Sequence, residues 1–160
     1  MRRAPVILIA DDDPNDVLLL ERTFQRAKVA GRFVVVRDGQ EAIDYLSGIG
    51  RFGDRKKNPW PALMLLDLKM PLLDGFDVLT WWREHGPARD LPIVVMSSSN
   101  QESDVQRAMA LGAAAYQVKS GDLQHLLAFA RDLREKWLKR TKKETLRRYT
   151  GKRPATSWLR

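Results

Sequence analysis

Three consecutive aspartates, Asp11, Asp12 and Asp13, follow directly on the apolar stretch VILIA at residues 6–10. A further acid, Asp67, closes the stretch ALMLL at 62–66. Ser97, Ser98 and Ser99 follow IVVM at 93–96, and Lys119 and Ser120 follow AYQV at 115–118. Two carboxylates about 4 Å apart repel by about 4 kcal/mol at an effective dielectric near 20. Acids gathered on one rim would therefore raise one another's pKa unless a cation sits among them. Oxygen ligands without histidine or cysteine favour a hard ion, Mg²⁺ before Ca²⁺. The same set has the parts for phosphoryl transfer. A carboxylate can act as nucleophile and form an acyl phosphate, a divalent ion can neutralise the equatorial oxygens, and a hydroxyl and a lysine can hold the remaining ones.

These residues act together only if the chain brings four strand ends to one edge. Five apolar runs, the four above and FVVV at 33–36, read as strands, and four of them lack polar alternation, as strands buried on both faces do. Between them, apolar residues recur at helical spacing. Val17, Leu18, Leu20, Phe24 and Ala27 mark a helix over 15–28, and Ala42, Ile43 and Leu46 one over 40–47. Phe76, Val78, Leu79 and Trp82 mark 75–84; Val105, Ala108, Met109 and Leu111 mark 101–111. The series Leu123, Leu126, Leu127, Ala130, Leu133, Trp137 and Leu138 marks 122–138. Strand and helix alternating five times predict a parallel sheet with right-handed crossovers and helices on both faces. In such an open α/β sheet, ligands bind at the carboxyl ends of the strands. Asp13-Pro14 is a helix start, so Asp13 is expected to cap the first helix rather than join the site.

Composition sets the frame. With 160 residues, 44% hydrophobic and 30% charged, the chain suffices for one globular domain. No apolar run nears the ~20 residues that span a bilayer, the five-residue run at the N-terminus is too short for a signal-peptide core, and cysteine is absent. A cytoplasmic protein is expected. The net charge of +8 is uneven: residues 131–160 hold 12 Lys or Arg against 3 Asp or Glu, a net +9, so residues 1–130 stand at −1. Basicity belongs to the C-terminal end, not to the body.

The segment LLDLKMPLLDG (65–75), with the acidic opening, Ser97 after a strand and GAAAYQVK (112–119), resembles the receiver domain of two-component response regulators, over roughly residues 6–137. The resemblance implies a CheY-like doubly wound (βα)5 sandwich with sheet order 2-1-3-4-5. Asp67 would be the phosphorylated aspartate. Asp11 and Asp12 match the family's acidic pair, Asp12 as direct Mg²⁺ ligand and Asp11 through water, with the backbone carbonyl of Lys69 completing the metal site. Ser97 occupies the switch hydroxyl position, Tyr116 the switch aromatic position, and Lys119 matches the lysine that pairs with the phosphoryl group. The implied donor is a phosphohistidine on a sensor histidine kinase or histidine phosphotransfer protein. The implied response is a changed face around the fourth helix, fifth strand and fifth helix, a population shift rather than enzymatic turnover of an external substrate. Pairing of copies through that face is left open.

Two departures from the family pattern carry expectations. Ser120 stands where the family usually has proline, commonly in a cis bond; a non-prolyl cis bond costs about 3–4 kcal/mol, so a trans bond is expected. Lys69, two residues past the nucleophile, places a long cation beside the site and is expected to hinder attacking water. The long connection 48–61, with three glycines and two prolines, and the D-x-P-x-D opening resemble single-domain regulators paired with phytochrome-type kinases.

Outside this pattern lie an N-terminal arm (1–5) and a basic C-terminal extension (138–160). The extension's charge suits phosphate contacts, an acidic surface, or simple solvation, but no helix-turn-helix, zinc-finger or RNA-binding motif accompanies it, so sequence-specific DNA binding is not expected. Helix beyond about residue 150 is disfavoured by Gly151 and Pro154. Trp82 is assigned inward by its spacing from Val78 and Leu79, Trp81 is expected to be partly exposed, and Trp158-Leu159 is assigned to packing on the domain or a partner. Rival readings are disfavoured by single residues. A haloacid-dehalogenase-type phosphatase would want a second aspartate where Lys69 stands. A flavodoxin-like cofactor binder would want a phosphate loop where the aspartates stand. A degenerate receiver binding partners without phosphorylation sits poorly with an intact acid, hydroxyl and lysine set.

Overall fold

The computed structural model describes residues 3–86 and 90–139. Five parallel strands, β1 (Val6–Ala10), β2 (Arg32–Val36), β3 (Leu63–Leu66), β4 (Ile93–Ser97) and β5 (Ala115–Val118), form one sheet in the order β2-β1-β3-β4-β5. The unbroken apolar runs of β1, β3 and β4 follow from their central position, since both faces of each strand must be covered. Ile7, Ile9, Leu63, Leu65, Val94 and Met96 feed one core cluster. Leu8, Ala10, Met64, Leu66, Ile93 and Val95 feed the other, which is the period-two alternation of a strand serving two layers.

Five α-helices cover the sheet: α1 (Pro14–Arg26), α2 (Gly39–Ser47), α3 (Gly75–His85), α4 (Glu102–Ala110) and α5 (Leu123–Leu133). α1 and α5 supply Val17, Leu20, Phe24, Leu127, Ala130 and Leu133 to the first cluster. α2, α3 and α4 supply residues such as Ala42, Leu46, Val78, Trp82 and Ala108 to the second. Helix starts are written in the side chains. Asp13 caps α1 by accepting from the Asn15 amide with Pro14 in the first turn, Asp38 accepts from the Glu41 amide, Asp74 and Asp77 form a reciprocal capping box, and Asp122 accepts from the Gln124 and His125 amides.

The predicted order and nearly all element bounds hold, with corrections that follow from position in the sheet. β2 is an edge strand: Arg32 is exposed, Phe33, Val34 and Val35 are half-buried, and Val36 alone is buried, so its apolar run is not covered on both faces. α4 lies shallow, burying only Ala108, while Met109 is 42% exposed. α1 stops at Arg26, and Lys28 turns into left-handed backbone (φ +54°). The helix predicted over 122–138 is α-helical to Leu133 and ends in one π-helical turn, Arg134–Leu138. Trp82 is buried and Trp81 half-buried, as their spacing predicts.

The 48–61 connection is pinned rather than loose. A short 3₁₀ turn, Gly50–Phe52, buries Phe52. The buried Tyr45 donates its hydroxyl to the Pro59 carbonyl at 2.7 Å. The Arg55 guanidinium donates to the Leu46 carbonyl at 3.0 Å and lies over the Trp60 ring. Residues 140–160, including Gly151, Pro154, Trp158 and Leu159 of the basic extension, lie outside the described residues. Among the described residues no helix is long and apolar enough to cross a membrane.

Candidate functional site

Hydrogen bonding of the sheet runs one residue past the strands and thereby fixes the site. The Asp11 amide donates to the Val36 carbonyl at 3.0 Å, the Asp67 amide to the Ala10 carbonyl at 2.9 Å, and the Lys119 amide to the Ser97 carbonyl at 2.8 Å. Three side chains far apart in sequence thus leave the carboxyl edge side by side. Carboxylate oxygens of Asp11, Asp12 and Asp67 all lie within 4.8 Å of one another. Asp11 and Asp67 are buried and Asp12 is exposed, so the cluster has a dry floor and an open mouth.

Lys119 ties the cluster together. Its Nζ donates to Asp11 Oδ2 at 3.0 Å, to Asp67 Oδ2 at 3.2 Å and to Asp16 Oδ2 at 2.7 Å. Burial pulls the lysine's pKa down, but the hydrogen bonds it donates to Asp16 and Asp11 and the charge of Asp67 outweigh it, and the net shift is upward. Burial pushes the Asp67 carboxyl up. Lys119 opposes that rise, the neighbouring Asp11 charge adds to it, and the Lys69 amide, donating to Oδ1 at 3.3 Å, opposes it again. One ammonium against the formal charges of four carboxylates leaves a strong negative excess. An all-oxygen donor set with that excess fits a hard divalent cation, and Asp11, Asp12 and Asp67 are the residues that would hold it.

Ser97 ends β4, between the strands that carry Asp67 and Lys119, and is fully buried. Its Oγ accepts from the Ser99 amide at 3.2 Å. Tyr116 is half-buried in β5 and donates its hydroxyl to the Ser99 carbonyl at 2.8 Å; Ser99 Oγ in turn donates to Asp104 Oδ2 at 2.6 Å. The two residues singled out as a switch therefore meet at one loop. The Asp13 side chain serves as the α1 cap and is not one of the clustered carboxylates, while its amide donates to Asp11 Oδ1 at 2.9 Å. The Lys119–Ser120 bond is trans, as are all peptide bonds among the described residues.

Residues 7–131 match the family model of the response regulator receiver domain. The chain belongs to that family. The receiver is similar to the response regulator RPA3017, described in red light signaling of R. palustris, at 34% identity over 86% of this chain and 96% of that one, with a TM-score of 0.79. It is similar to the cyanobacterial phytochrome response regulator RcpA, solved phosphorylated, at 31% identity over 84% of this chain and 94% of that one, with a TM-score of 0.75. The response regulator Rcp1 of Synechocystis is 29% identical over 83% of this chain and 88% of its own length. The Mn²⁺-bound form of Rcp1 superposes with a TM-score of 0.72, covering 86% of this chain and 97% of that one at 28% identity.

Of the residues the sequence singled out, Asp11, Asp12, Asp67 and Lys119 come together in the receiver. Ser97 and Tyr116 flank them through the β4–α4 loop. Asp16 was not among them, although it makes the shortest of the three Lys119 bonds. Its signal lay in the D-x-P-x-D opening: with Asp13 as cap and Pro14 in the first turn, the second acid of that motif falls in the first turn of α1 and reaches back to the rim.

Proposed function

We propose that this receiver takes a phosphoryl group from a phosphohistidine of a sensor histidine kinase or histidine phosphotransfer protein onto Asp67. A carboxylate oxygen of Asp67 attacks phosphorus as the phosphorus–nitrogen bond breaks, and the imidazole nitrogen keeps the electron pair and takes a proton. The reading rests on one observation. Asp67 is buried at the end of β3 with Lys119 on one carboxylate oxygen and Asp11 and Asp12 within cation-sharing distance. Mg²⁺ at Asp11, Asp12 and Asp67, with the Lys69 carbonyl as a further ligand, would supply charge neutralisation of the transferred oxygens. Lys119 then holds a phosphoryl oxygen, and the exposed Lys69, two residues past Asp67, hinders attacking water and prolongs the acyl phosphate.

The added negative charge attracts the Ser97 hydroxyl, which gives up the Ser99 amide. Tyr116, bonded to the same residue's carbonyl, turns inward in consequence, and the α4–β5–α5 face changes. The receiver promotes only its own phosphorylation and dephosphorylation, within a domain of residues 6–137 that carries residues 138–160 as a basic extension. The relatives described in red light and phytochrome signalling support a phytochrome-type kinase as the donor. Incubation with Mg²⁺ and acetyl phosphate, followed by intact mass, tests the reading. A gain of one phosphoryl group that disappears in Asp67→Ala is expected, and no gain, or a gain that survives that substitution, overturns it.

A further inference from the structure

An ammonium has three N–H donors, and Lys119 spends all three on carboxylates: Asp11, Asp67 and Asp16. Two of these belong to the three-carboxylate cluster that suits a divalent cation. The third does not. Asp16 stands on the first turn of α1, 36% exposed at its side chain, outside the three-carboxylate cluster, and holds Lys119 at 2.7 Å. Asp16 and Lys119 together line a recess of about 30 Å³ whose other walls include Leu19, Leu20, Met96 and Leu126. The one other polar side chain there, Ser120, accepts from the Asp122 amide through its Oγ. The recess thus offers no second carboxylate.

A cation bound at Asp11, Asp12 and Asp67 sets a double positive charge beside the ammonium and draws on two of its three acceptors. Like charges a few ångströms apart repel strongly even when partly screened. Lys119 would be driven from the rim unless something outside the cluster retains it. We propose that Asp16 is that anchor: a positioning residue that keeps the Lys119 ammonium at the phosphoacceptor while a divalent cation occupies the neighbouring carboxylates. The inference rests on the cation site and the Asp67 chemistry proposed above. It makes Asp16 a residue acting through Lys119, with no contact to the transferred group itself.

The experiment uses the full chain and two readouts. In the first, the ζ-ammonium of Lys119 is followed by ¹⁵N NMR as Mg²⁺ is added, with no phosphodonor present and with the signal assigned by its loss in Lys119→Ala. In the wild type it keeps a hydrogen-bonded position at saturating Mg²⁺. In Asp16→Asn it moves to the position of a solvated lysine on the same titration. In the second, phosphorylation by acetyl phosphate at saturating Mg²⁺ is compared in a double-mutant cycle. Asp16→Asn slows it about tenfold in the wild-type background and less than twofold in the Lys119→Ala background, the non-additivity of residues that act as a unit. An unchanged ζ-ammonium signal in Asp16→Asn, or an equal rate loss in both backgrounds, overturns the inference. A wild-type protein that takes up no phosphoryl group overturns the proposed function instead, and the NMR titration still decides the role of Asp16.

Discussion

Gly75 and Asp67 touch through backbone alone: a Cβ on Gly75 would stand 2.4 Å from the Asp67 carbonyl oxygen and 2.7 Å from the Leu68 Cα. The Gly75 amide donates to the Leu68 carbonyl at 3.0 Å, so the first turn of α3 is seated directly on the end of β3. The obstruction is main chain and cannot rotate aside. Gly75→Ala is expected to destabilise the receiver by about 2 kcal/mol, the scale of overpacking in a closed site, and to displace Asp67. Urea unfolding, together with acetyl phosphate uptake corrected for the folded fraction, checks both parts. An Ala variant as stable and as reactive as the wild type would mean that the strand end and α3 are free to part.

Asp67 is expected to cost stability when no cation is present. Its carboxyl is pushed above the ordinary value of 3.8 chiefly by burial. For an acid raised on folding, protonation contributes stability that is fully present below the unfolded value and is lost as pH rises through the folded one. At neutral pH in chelator, Asp67→Asn should therefore melt higher than the wild type. The gap should close as pH falls toward 3.8. Thermal melts of both proteins across that range decide it, and a variant that melts lower at neutral pH contradicts the sign.

The alternation of strands and helices, the two-layer covering and the polar residues at the strand ends were legible because they follow from local signals; the strand order came only with the resemblance to receiver domains. Apolar runs end in polar residues, and the order of those runs along the chain dictates the edge on which they meet. What escaped depended on tertiary placement. FVVV has the unbroken apolar run of a strand covered on both faces, yet at the edge of the sheet Phe33, Val34 and Val35 stay half-buried and Val36 alone is buried. The Asp16 contact spans 103 residues and depends on how α1 is pitched against β5, which no local pattern encodes. The 48–61 connection shows no periodic pattern in the sequence, only its length, glycines and prolines. Its order comes from Tyr45 and Arg55 reaching back to the carbonyls of Pro59 and Leu46.

Leu72 lies in left-handed backbone (φ +66°) and is 80% exposed, five residues beyond Asp67. A side chain in that conformation crowds its own carbonyl at a cost of about 1–2 kcal/mol, and exposure of this degree returns little burial in exchange. Leu72→Gly removes the crowding while admitting a more flexible unfolded chain, about 0.5–1 kcal/mol the other way. The expected result is a protein at least as stable as the wild type, by up to about 1 kcal/mol. Leu73→Ala, at a neighbouring side chain packed on the core, should lose stability in the same denaturation series. A Leu72→Gly variant clearly weaker than the wild type would mean that the leucine makes a stabilising contact in solution.

Asp12 separates the cation's contribution from the lysine's. It is exposed, belongs to the three-carboxylate cluster, and takes part in none of the Lys119 bonds. Asp12→Asn therefore leaves Asp11, Asp16 and Asp67 paired with Lys119 and should change metal-free stability by no more than about 0.5 kcal/mol. Cation binding should suffer instead. A ligand at a hundredfold its dissociation constant stabilises the folded state by about 2.7 kcal/mol. Loss of one carboxylate that weakens binding about tenfold would reduce that gain to about 1.4 kcal/mol at the same concentration. Thermal melts over a MgCl₂ series, against NaCl at matched ionic strength, should show a rise in Tm for the wild type that is cut by about half in Asp12→Asn. An equal rise in the two proteins would place the cation elsewhere and remove the charge balance on which the Asp67 chemistry rests.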